Sequence, residues 1–192
     1  IIPGTLRTVE ERGEKSTPAT GTATVGEKAK VSVKIKNCGT EDPGINVAAG
    51  TRLVATTNTS LSFLLDSSVS IGGYGGSGEC PEGEGTATAE KIGGSYNDPA
   101  AFTISGFGFP AHSAERVTLT KSGSSQQVTI VSAADQSKVL EELEAELTEK
   151  GKTNLAGQGG IDEVVVEEAI KSGVLEKNFS HAVGEQTDKL TL

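Results

Sequence analysis

Two cysteines, Cys38 in "KNCGTEDPG" and Cys80 in "GSGECPEGEG", have the clearest chemistry in this sequence. Both stand in polar turn sequence at the ends of predicted strands, and they do not form a CxxC pair. In a small, β-rich, exported protein such cysteines are natural disulfide partners, and the bridge would contribute about 3 to 4 kcal/mol. The pattern predicts a Cys38–Cys80 bridge, with two unrelated free thiols as the alternative. A metal site is not indicated, because neither histidine lies near either cysteine in sequence.

His112 and His181 are the candidates for a general base. His112 precedes Ser113, but adjacent residues on a strand point to opposite faces and do not easily form a nucleophile and base pair. The sequence has no GxSxG motif. We therefore interpret both histidines as surface residues, assign no catalytic residue and predict that the protein is not an enzyme.

Paired carboxylates occur at Glu41 and Asp42 and again along residues 141–146. General acid catalysis requires a raised pKa, and the polar neighbours of these groups provide no cause for one. A calcium site could use Glu41, Asp42 and nearby carbonyls, but the regular acidic spacing of an EF-hand loop is absent. We predict no metal and no cofactor, and we treat Glu41 and Asp42 as candidate contacts of a binding loop.

The segment "GGYGGSG" superficially resembles a phosphate-binding loop but lacks the Lys and Ser/Thr of a P-loop. It is predicted to be an exposed loop, and Tyr74 at its centre is a candidate contact residue because binding sites are often carried on loops. A Lys–Asn isopeptide bond from Lys34 or Lys36 to Asn37 or Asn97 is a further candidate. The alternation of these lysines with apolar residues instead favours a solvated face.

Short strands would position most of these side chains. Val31, Val33 and Ile35 alternate with polar residues, which predicts a strand with one buried face. Further apolar residues recur at intervals near ten residues and favour a β-sandwich or small barrel. The segments "ERVTLT" and "QQVTIVS", separated by "KSGSS", have the spacing of a hairpin with Val117 and Leu119 facing the core.

At Ser132 the pattern changes to that of a helix. "SAAD" predicts a capping box in which Ser132 is the N-cap and Asp135 accepts from its backbone N–H. An apolar stripe at helical spacing predicts a helix over 133–150, ended by "GKTNLAGQGG". After residue 134 there are 13 acidic and 6 basic residues. We therefore expect an extended lead-in or linker over 1–20, a β-rich domain over 21–132 and an acidic, incomplete α/β segment over 133–192.

Composition agrees with this organisation and excludes several classes. The 192 residues include 25 Gly, only 34% are hydrophobic and 4% aromatic, so an all-helical fold is not expected. A net charge of −9 argues against nucleic acid as a partner, because affinity for phosphate backbones comes largely from clustered Lys and Arg. We expect protein partners, including self-association in a larger assembly, and an extracytoplasmic location.

The order of five motifs resembles the baseplate-J-like proteins, which include phage-tail wedge proteins and membrane-anchored relatives in bacteria of reduced genome. The motifs are "TGTATVGEKAKVSVKIKNC", "VAAGTRLVATTNTSLSFLLDSSVSI", "GTATAEKIGGSYNDPAAFTISGF", "VTIVSAADQSKVLEELEAEL" and "AVGEQTDKLTL". The resemblance implies a transmembrane helix before the β-domain and further sheet after the acidic helix, so we expect membrane attachment only through a segment absent from this chain. It also implies a non-catalytic structural module of an envelope-anchored or appendage assembly. The alternative is an adhesin-like module that recognises a host protein or glycan through loops 72–81 and 41–49.

Overall fold

The computed structural model describes residues 5–40, 43–160 and 166–192. These residues form mainly β-strands and one long helix, which confirms the predicted fold class. The strands before the helix are β1 (Ser16–Pro18), β2 (Gly21–Val25), β3 (Lys30–Asn37), β4 (Gly44–Val47), β5 (Arg52–Ala55), β6 (Ser62–Leu65), β7 (Val69–Gly72), β8 (Glu82–Ala89), β9 (Ala101–Ile104), β10 (His112–Lys121) and β11 (Gln126–Ile130). Helix α1 (Ala133–Gly157) and strand β12 (Lys189–Thr191) follow, and short 3-10 turns lie at Gly94–Asn97 and Glu167–Ala169.

The chain divides into two compact units. Residues Thr24–Gln126 form the barrel unit, whereas Ile1–Ala23 together with Gln127–Leu192 form the α/β unit. In sequence, the barrel unit is therefore an insertion within the α/β unit. The segment that the sequence indicates as a lead-in, residues 1–20, belongs to the α/β unit.

Six antiparallel strands of the barrel unit close into a barrel in the order β10-β3-β8-β6-β5-β9. The alternation predicted for β3 is confirmed, since Val31, Val33 and Ile35 are fully buried and the residues between them are half-buried. Phe63 occupies the core with edge-to-face contacts to Tyr96 and Phe102, at centroid distances of 5.5 and 5.3 Å. Closure removes the free sheet edges that a six-stranded open sheet would expose.

Strand β8 supplies only small residues to the interior, and this makes room for a second layer. A Cβ atom on Gly83 would lie 2.6 Å from Val69 Cγ1 and 2.8 Å from Ile71 Cγ1. Val69 and Ile71 belong to β7, which pairs with β4 in a two-stranded ribbon, and both are buried in the barrel core. The glycine is required here by close packing rather than by a turn.

The predicted hairpin of "ERVTLT" and "QQVTIVS" is wrong. β10 pairs with β3 and β9 and so helps to close the barrel, whereas β11 pairs with β2 in a separate two-stranded sheet. Val117 does not face the core either, because the register passes from Arg116 opposite Val33 to Thr118 opposite Ser32. Val117 is the extra residue of a β-bulge and is 51% exposed. Leu119 packs against the core as expected.

In the α/β unit, β1 pairs antiparallel with β12 and a small core forms around Val131, Val139 and Leu190. Helix α1 begins as predicted, with Ser132 as N-cap of a capping box. It ends at Gly157 and not at residue 150. Gly151 is buried where the segment before β1 packs on the helix, and Lys150 pairs with Glu11 at 3.3 Å. These contacts offset the roughly 1 kcal/mol by which glycine disfavours a helix interior.

Candidate functional site

The barrel has two distinct ends, which the pairing of β3 with β10 defines. At one end Lys30 of β3 lies opposite Lys121 of β10, and at the other Asn37 lies opposite His112. The chain enters before β3 and leaves after β10, so both connections lie at the Lys30 end, which we call the proximal end. The Asn37 end, the distal end, is formed by Cys38 and by loops 73–81 and 105–111.

The predicted disulfide lies at the distal end. β3 and β8 are antiparallel with Lys36 opposite Glu82, and the Asn37 N–H donates to the Pro81 carbonyl at 2.9 Å. The next residues outward, Cys38 and Cys80, therefore face each other across the two strands. They are bonded with a Cα–Cα distance of 5.0 Å. The bridge is confirmed, and it adds a covalent link at the end of the β3–β8 ladder.

The side chain of Asn37 anchors the Gly72 end of the glycine-rich loop 73–81. Its side chain is fully buried, Nδ2 donates to the Gly72 carbonyl at 3.0 Å, and Oδ1 accepts from the Gly39 N–H at 3.1 Å. Gly72 ends β7 and Cys80 precedes β8, so the loop between them is held at one end by Asn37 and at the other by the disulfide. Leaving this buried amide unpaired would cost about 1 to 3 kcal/mol.

Tyr74, the predicted contact residue, lies within this doubly anchored loop. Its ring is half-buried and its hydroxyl donates to the Gly78 carbonyl at 3.3 Å. Gly76 and Gly78 have φ values of +81° and +85°, which glycine adopts without strain. The other candidate contacts, Glu41 and Asp42, lie outside the described residues. The second predicted loop, 41–49, is partly strand, because residues 44–47 form β4.

Loop 105–111, between β9 and β10, carries an exposed aromatic residue that was not predicted from the sequence. The Ala111 carbonyl accepts from the Cys38 N–H at 2.7 Å, which ties this loop to the disulfide. Phe107 packs against the barrel core, whereas Phe109 is 58% exposed. The available signal was "FGFP", two of the five phenylalanines of the chain in a glycine-rich segment. Periodicity does not tell which of the two rings packs against the core.

The outer face of β3 carries ion pairs. Lys34 Nζ lies 2.9 Å from a Glu82 carboxylate oxygen, and Lys36 Nζ lies 3.3 Å from a Glu115 carboxylate oxygen. The hydrogen bond between Lys34 and Glu82 raises the lysine pKa and lowers the glutamate pKa. Asn37 faces the interior while both lysines face solvent. This geometry does not support an isopeptide bond between them.

The two histidines lie in different units and make local contacts. The His112 ring lies 5.6 Å from the Phe107 ring, and its Nδ1 is 3.2 Å from the Gly108 carbonyl oxygen. His181 Nδ1 lies 2.9 Å from Ser180 Oγ, which also accepts from the Thr191 N–H at 3.0 Å. Ser180 therefore serves β12 as a hydrogen-bond acceptor, which is a structural role.

Asp135 has the most strongly shifted pKa of the described carboxylates. Its oxygens accept from the Thr20 hydroxyl at 2.7 Å, the Thr20 N–H at 3.0 Å and the Ser132 N–H at 2.8 Å. These bonds hold the pKa of Asp135 far below its usual range. Strong shifts often mark reactive groups, but here the carboxylate is a helix cap that also holds Thr20.

Within residues 5–40, 43–160 and 166–192, no three His, Cys, Asp or Glu side chains are arranged so that they could hold a metal ion. In the same part of the chain, no helix has the length and apolar character needed to span a membrane.

No protein-family model matches the chain, and no curated protein matches it.

Proposed function

We propose that this protein is a non-catalytic structural module of an extracytoplasmic, envelope-anchored or appendage assembly, in which the barrel unit acts as a rigid spacer. The observation that carries the proposal is that the barrel is closed and is fastened at both ends. A closed barrel whose two ends are held by such bonds resists extension when force is applied to it. The function of a catalytic domain instead depends on a site of reactive residues.

At the proximal end, the two connections of the barrel are bonded to each other. The Glu27 N–H donates to the Ser124 carbonyl at 3.1 Å, and the Ser124 N–H donates to the Glu27 carbonyl at 3.0 Å. Next to them, Gly123 exchanges two hydrogen bonds with the Asn97 side chain, at 2.7 and 3.0 Å. A Cβ atom on Gly26 would lie 2.0 Å from the Ser124 carbonyl oxygen, so glycine is required for this approach.

At the distal end, the Cys38–Cys80 bridge and the buried Asn37 amide fasten the strands that separate the two ends. The eight residues of β3 cover about 25 Å at about 3.3 Å per residue. Force applied between the ends of the barrel is therefore shared by paired strands over that length. This is the basis for assigning a spacing role to the barrel unit.

An extracytoplasmic location forms part of the proposal. Both cysteines of the chain are in the bridge, and disulfides persist mainly in oxidising compartments. The test is intact mass after alkylation without reductant. A protein isolated from its natural compartment should be unalkylated and two hydrogens lighter than the reduced form. Two alkylated thiols would instead place it in a reducing compartment.

The proposal includes a relationship to the baseplate-J-like proteins, supported by the order of the five sequence motifs. It also includes other proteins and further copies of this chain as partners. The net charge of −9 supports the exclusion of nucleic acid from this set, because like charges on the chain and on phosphate backbones repel.

Self-association tests the structural role. Sedimentation velocity and chemical cross-linking of the full chain should give oligomers of defined stoichiometry as concentration rises. A chain that remains monomeric and instead binds whole cells would contradict the spacer proposal.

The adhesin-like function is the second candidate, favoured by the doubly anchored loop that carries Tyr74. Replacing residues 73–79 with a Gly-Ser segment of equal length should abolish cell binding if that function is correct. Cell binding that survives the replacement would rule out the Tyr74 loop as the contact.

A further inference from the structure

Two segments of the chain carry the Asn-X-Ser/Thr sequence of N-linked glycosylation. They are residues 58–60, "NTS", and residues 178–180, "NFS", and the middle residue of neither is proline. In an exported protein this sequence accepts an oligosaccharide when it lies on an accessible surface loop. Three residues alone do not decide whether a site is used, but the structure places the two asparagines in different surroundings.

Asn58 lies in the loop that connects β5 and β6. Residues 56–60 of this loop are all exposed. Their sequence, "TTNTS", has no charged and no apolar side chain, so an attached glycan would displace no side chain from a core. This loop is therefore open both to a transferase and to a large attached group.

The amide nitrogen of Asn58 is left available by the hydrogen bonds of its own loop. Asn58 Oδ1 accepts from the Ser60 N–H at 3.1 Å and from the Ser60 hydroxyl at 2.6 Å. Within the described part of the chain, Asn58 Nδ2 donates no hydrogen bond. The atom that would receive the sugar can therefore react without the loss of an existing bond.

The second motif is held in place by the fold. Asn178 Nδ2 donates to a Glu176 carboxylate oxygen at 3.0 Å, and the Phe179 ring packs against the small core of the α/β unit. The Ser180 N–H donates to the Thr191 carbonyl at 2.8 Å, and Ser180 Oγ accepts from the Thr191 N–H at 3.0 Å. A transferase could bind this segment only after it had been separated from β12 and from the core.

We propose that Asn58 is a site of N-linked glycosylation in the folded chain and that Asn178 is not. The proposal rests on the extracytoplasmic location proposed above, because this modification belongs to exported proteins. The donor is an oligosaccharide activated as a phosphate or pyrophosphate ester. Asn58 Nδ2 attacks the anomeric carbon, and the new C–N bond replaces the C–O bond to phosphate. The phosphate oxygen leaves with the electron pair, and the proton of Nδ2 passes to a base of the transferase.

Peptide mass spectrometry of the chain isolated from its natural compartment tests the proposal. Cleavage after Lys and Arg separates the two motifs, because it gives the peptides 53–91 and 178–189. A glycan mass is expected on Asn58 in the first peptide and not on Asn178 in the second. Asn58→Gln and Ser60→Ala should each remove the glycan, whereas the matched control Asn178→Gln should leave it in place. Circular dichroism establishes that each variant is folded.

The same digest distinguishes failure of the site from failure of the location. Peptide 53–91 also contains Cys80, so alkylation without reductant reports the state of the bridge in the same molecules. An intact bridge with unmodified Asn58 would overturn the site and leave the location standing. Alkylated thiols with unmodified Asn58 would overturn both.

A reaction with purified components tests the distinction between the two asparagines. The full chain is incubated with an oligosaccharyltransferase and a lipid-linked oligosaccharide, once folded and once after reduction and unfolding. We expect modification of Asn58 alone in the folded chain and of both asparagines in the unfolded chain. Equal modification of Asn58 and Asn178 in the folded chain would show that the hydrogen bonds and packing described above do not select the site.

Discussion

Removing the Cys38–Cys80 bridge is expected to destabilise the barrel unit by about 4 kcal/mol. The two cysteines are 42 residues apart, and the chain-entropy relation gives this value for a loop of that length near 25 °C. The double variant Cys38→Ser/Cys80→Ser is the appropriate perturbation, because it leaves no unpaired thiol. The backbone bond from Asn37 to Pro81 and the Asn37 side-chain bond to Gly72 should remain.

The chain offers two spectroscopic probes that separate its units. It has no Trp and two Tyr, Tyr74 and Tyr96, and both belong to the barrel unit. The long helix α1 belongs to the α/β unit. Urea unfolding followed by tyrosine fluorescence therefore reports on the barrel, whereas ellipticity at 222 nm reports mainly on the helix. With a slope of about 2 kcal/mol per M, the loss corresponds to a midpoint lower by about 2 M in the fluorescence transition.

Two results would refute this reasoning. A loss below about 1 kcal/mol would mean that the bridge restricts the unfolded barrel far less than loop length implies. An equal shift of the helix transition would mean that the two units unfold together. Wild-type protein treated with reductant is the control, since it should match the serine variant in both transitions.

The remaining predictions concern packing and pH. Gly83→Val should lower barrel stability by about 2 kcal/mol or more through collision with β7, whereas Gly75→Ala should leave it nearly unchanged because the space there is open. Phe63→Ala should cost about 3 to 5 kcal/mol in the fluorescence-detected transition, and a smaller loss would contradict its central place in the core. Hydrogen bonds in the folded protein lower the pKa of Asp135 below 3.8, its value in the unfolded chain. The carboxylate therefore stabilises the fold fully above about pH 3.8, and this stabilisation is lost progressively as the pH falls towards the lowered pKa. Asp135→Asn should therefore lower the midpoint of helix unfolding at pH 7, and the difference from wild type should shrink towards pH 2; a difference that does not depend on pH would count against this.

Features set by neighbouring residues could be predicted from the sequence. The burial of Val31, Val33 and Ile35 follows from the two-residue period of a strand, whatever its partners are. The capping box of Ser132 and Asp135 depends on groups three residues apart. The disulfide was predictable because both cysteines stand at strand ends in turn sequence.

Features set by distant residues could not be predicted in this way. The strand pattern and loop length are both compatible with a hairpin of β10 and β11. In the structure, however, β10 pairs with β3 and β9 in the barrel, and β11 pairs with β2. Helix α1 continues through Gly151 because residues near Glu11, far away in sequence, pack on that turn. Val117 is exposed because a bulge shifts the register, and the strand pattern alone carries no sign of it.

The same distinction between neighbouring and distant residues applies to the candidate site. Sequence alone determined that Tyr74 lies in a glycine-rich loop and that Cys38 and Cys80 are suited to a bridge, because residue type and turn composition are local properties. Only the tertiary structure decided that Asn37 holds the Gly72 end of that loop, that Phe109 is exposed while Phe107 packs against the core, and that both loops meet at Cys38. Closure of the barrel brings these segments together, and closure depends on pairing between strands that are far apart in the chain.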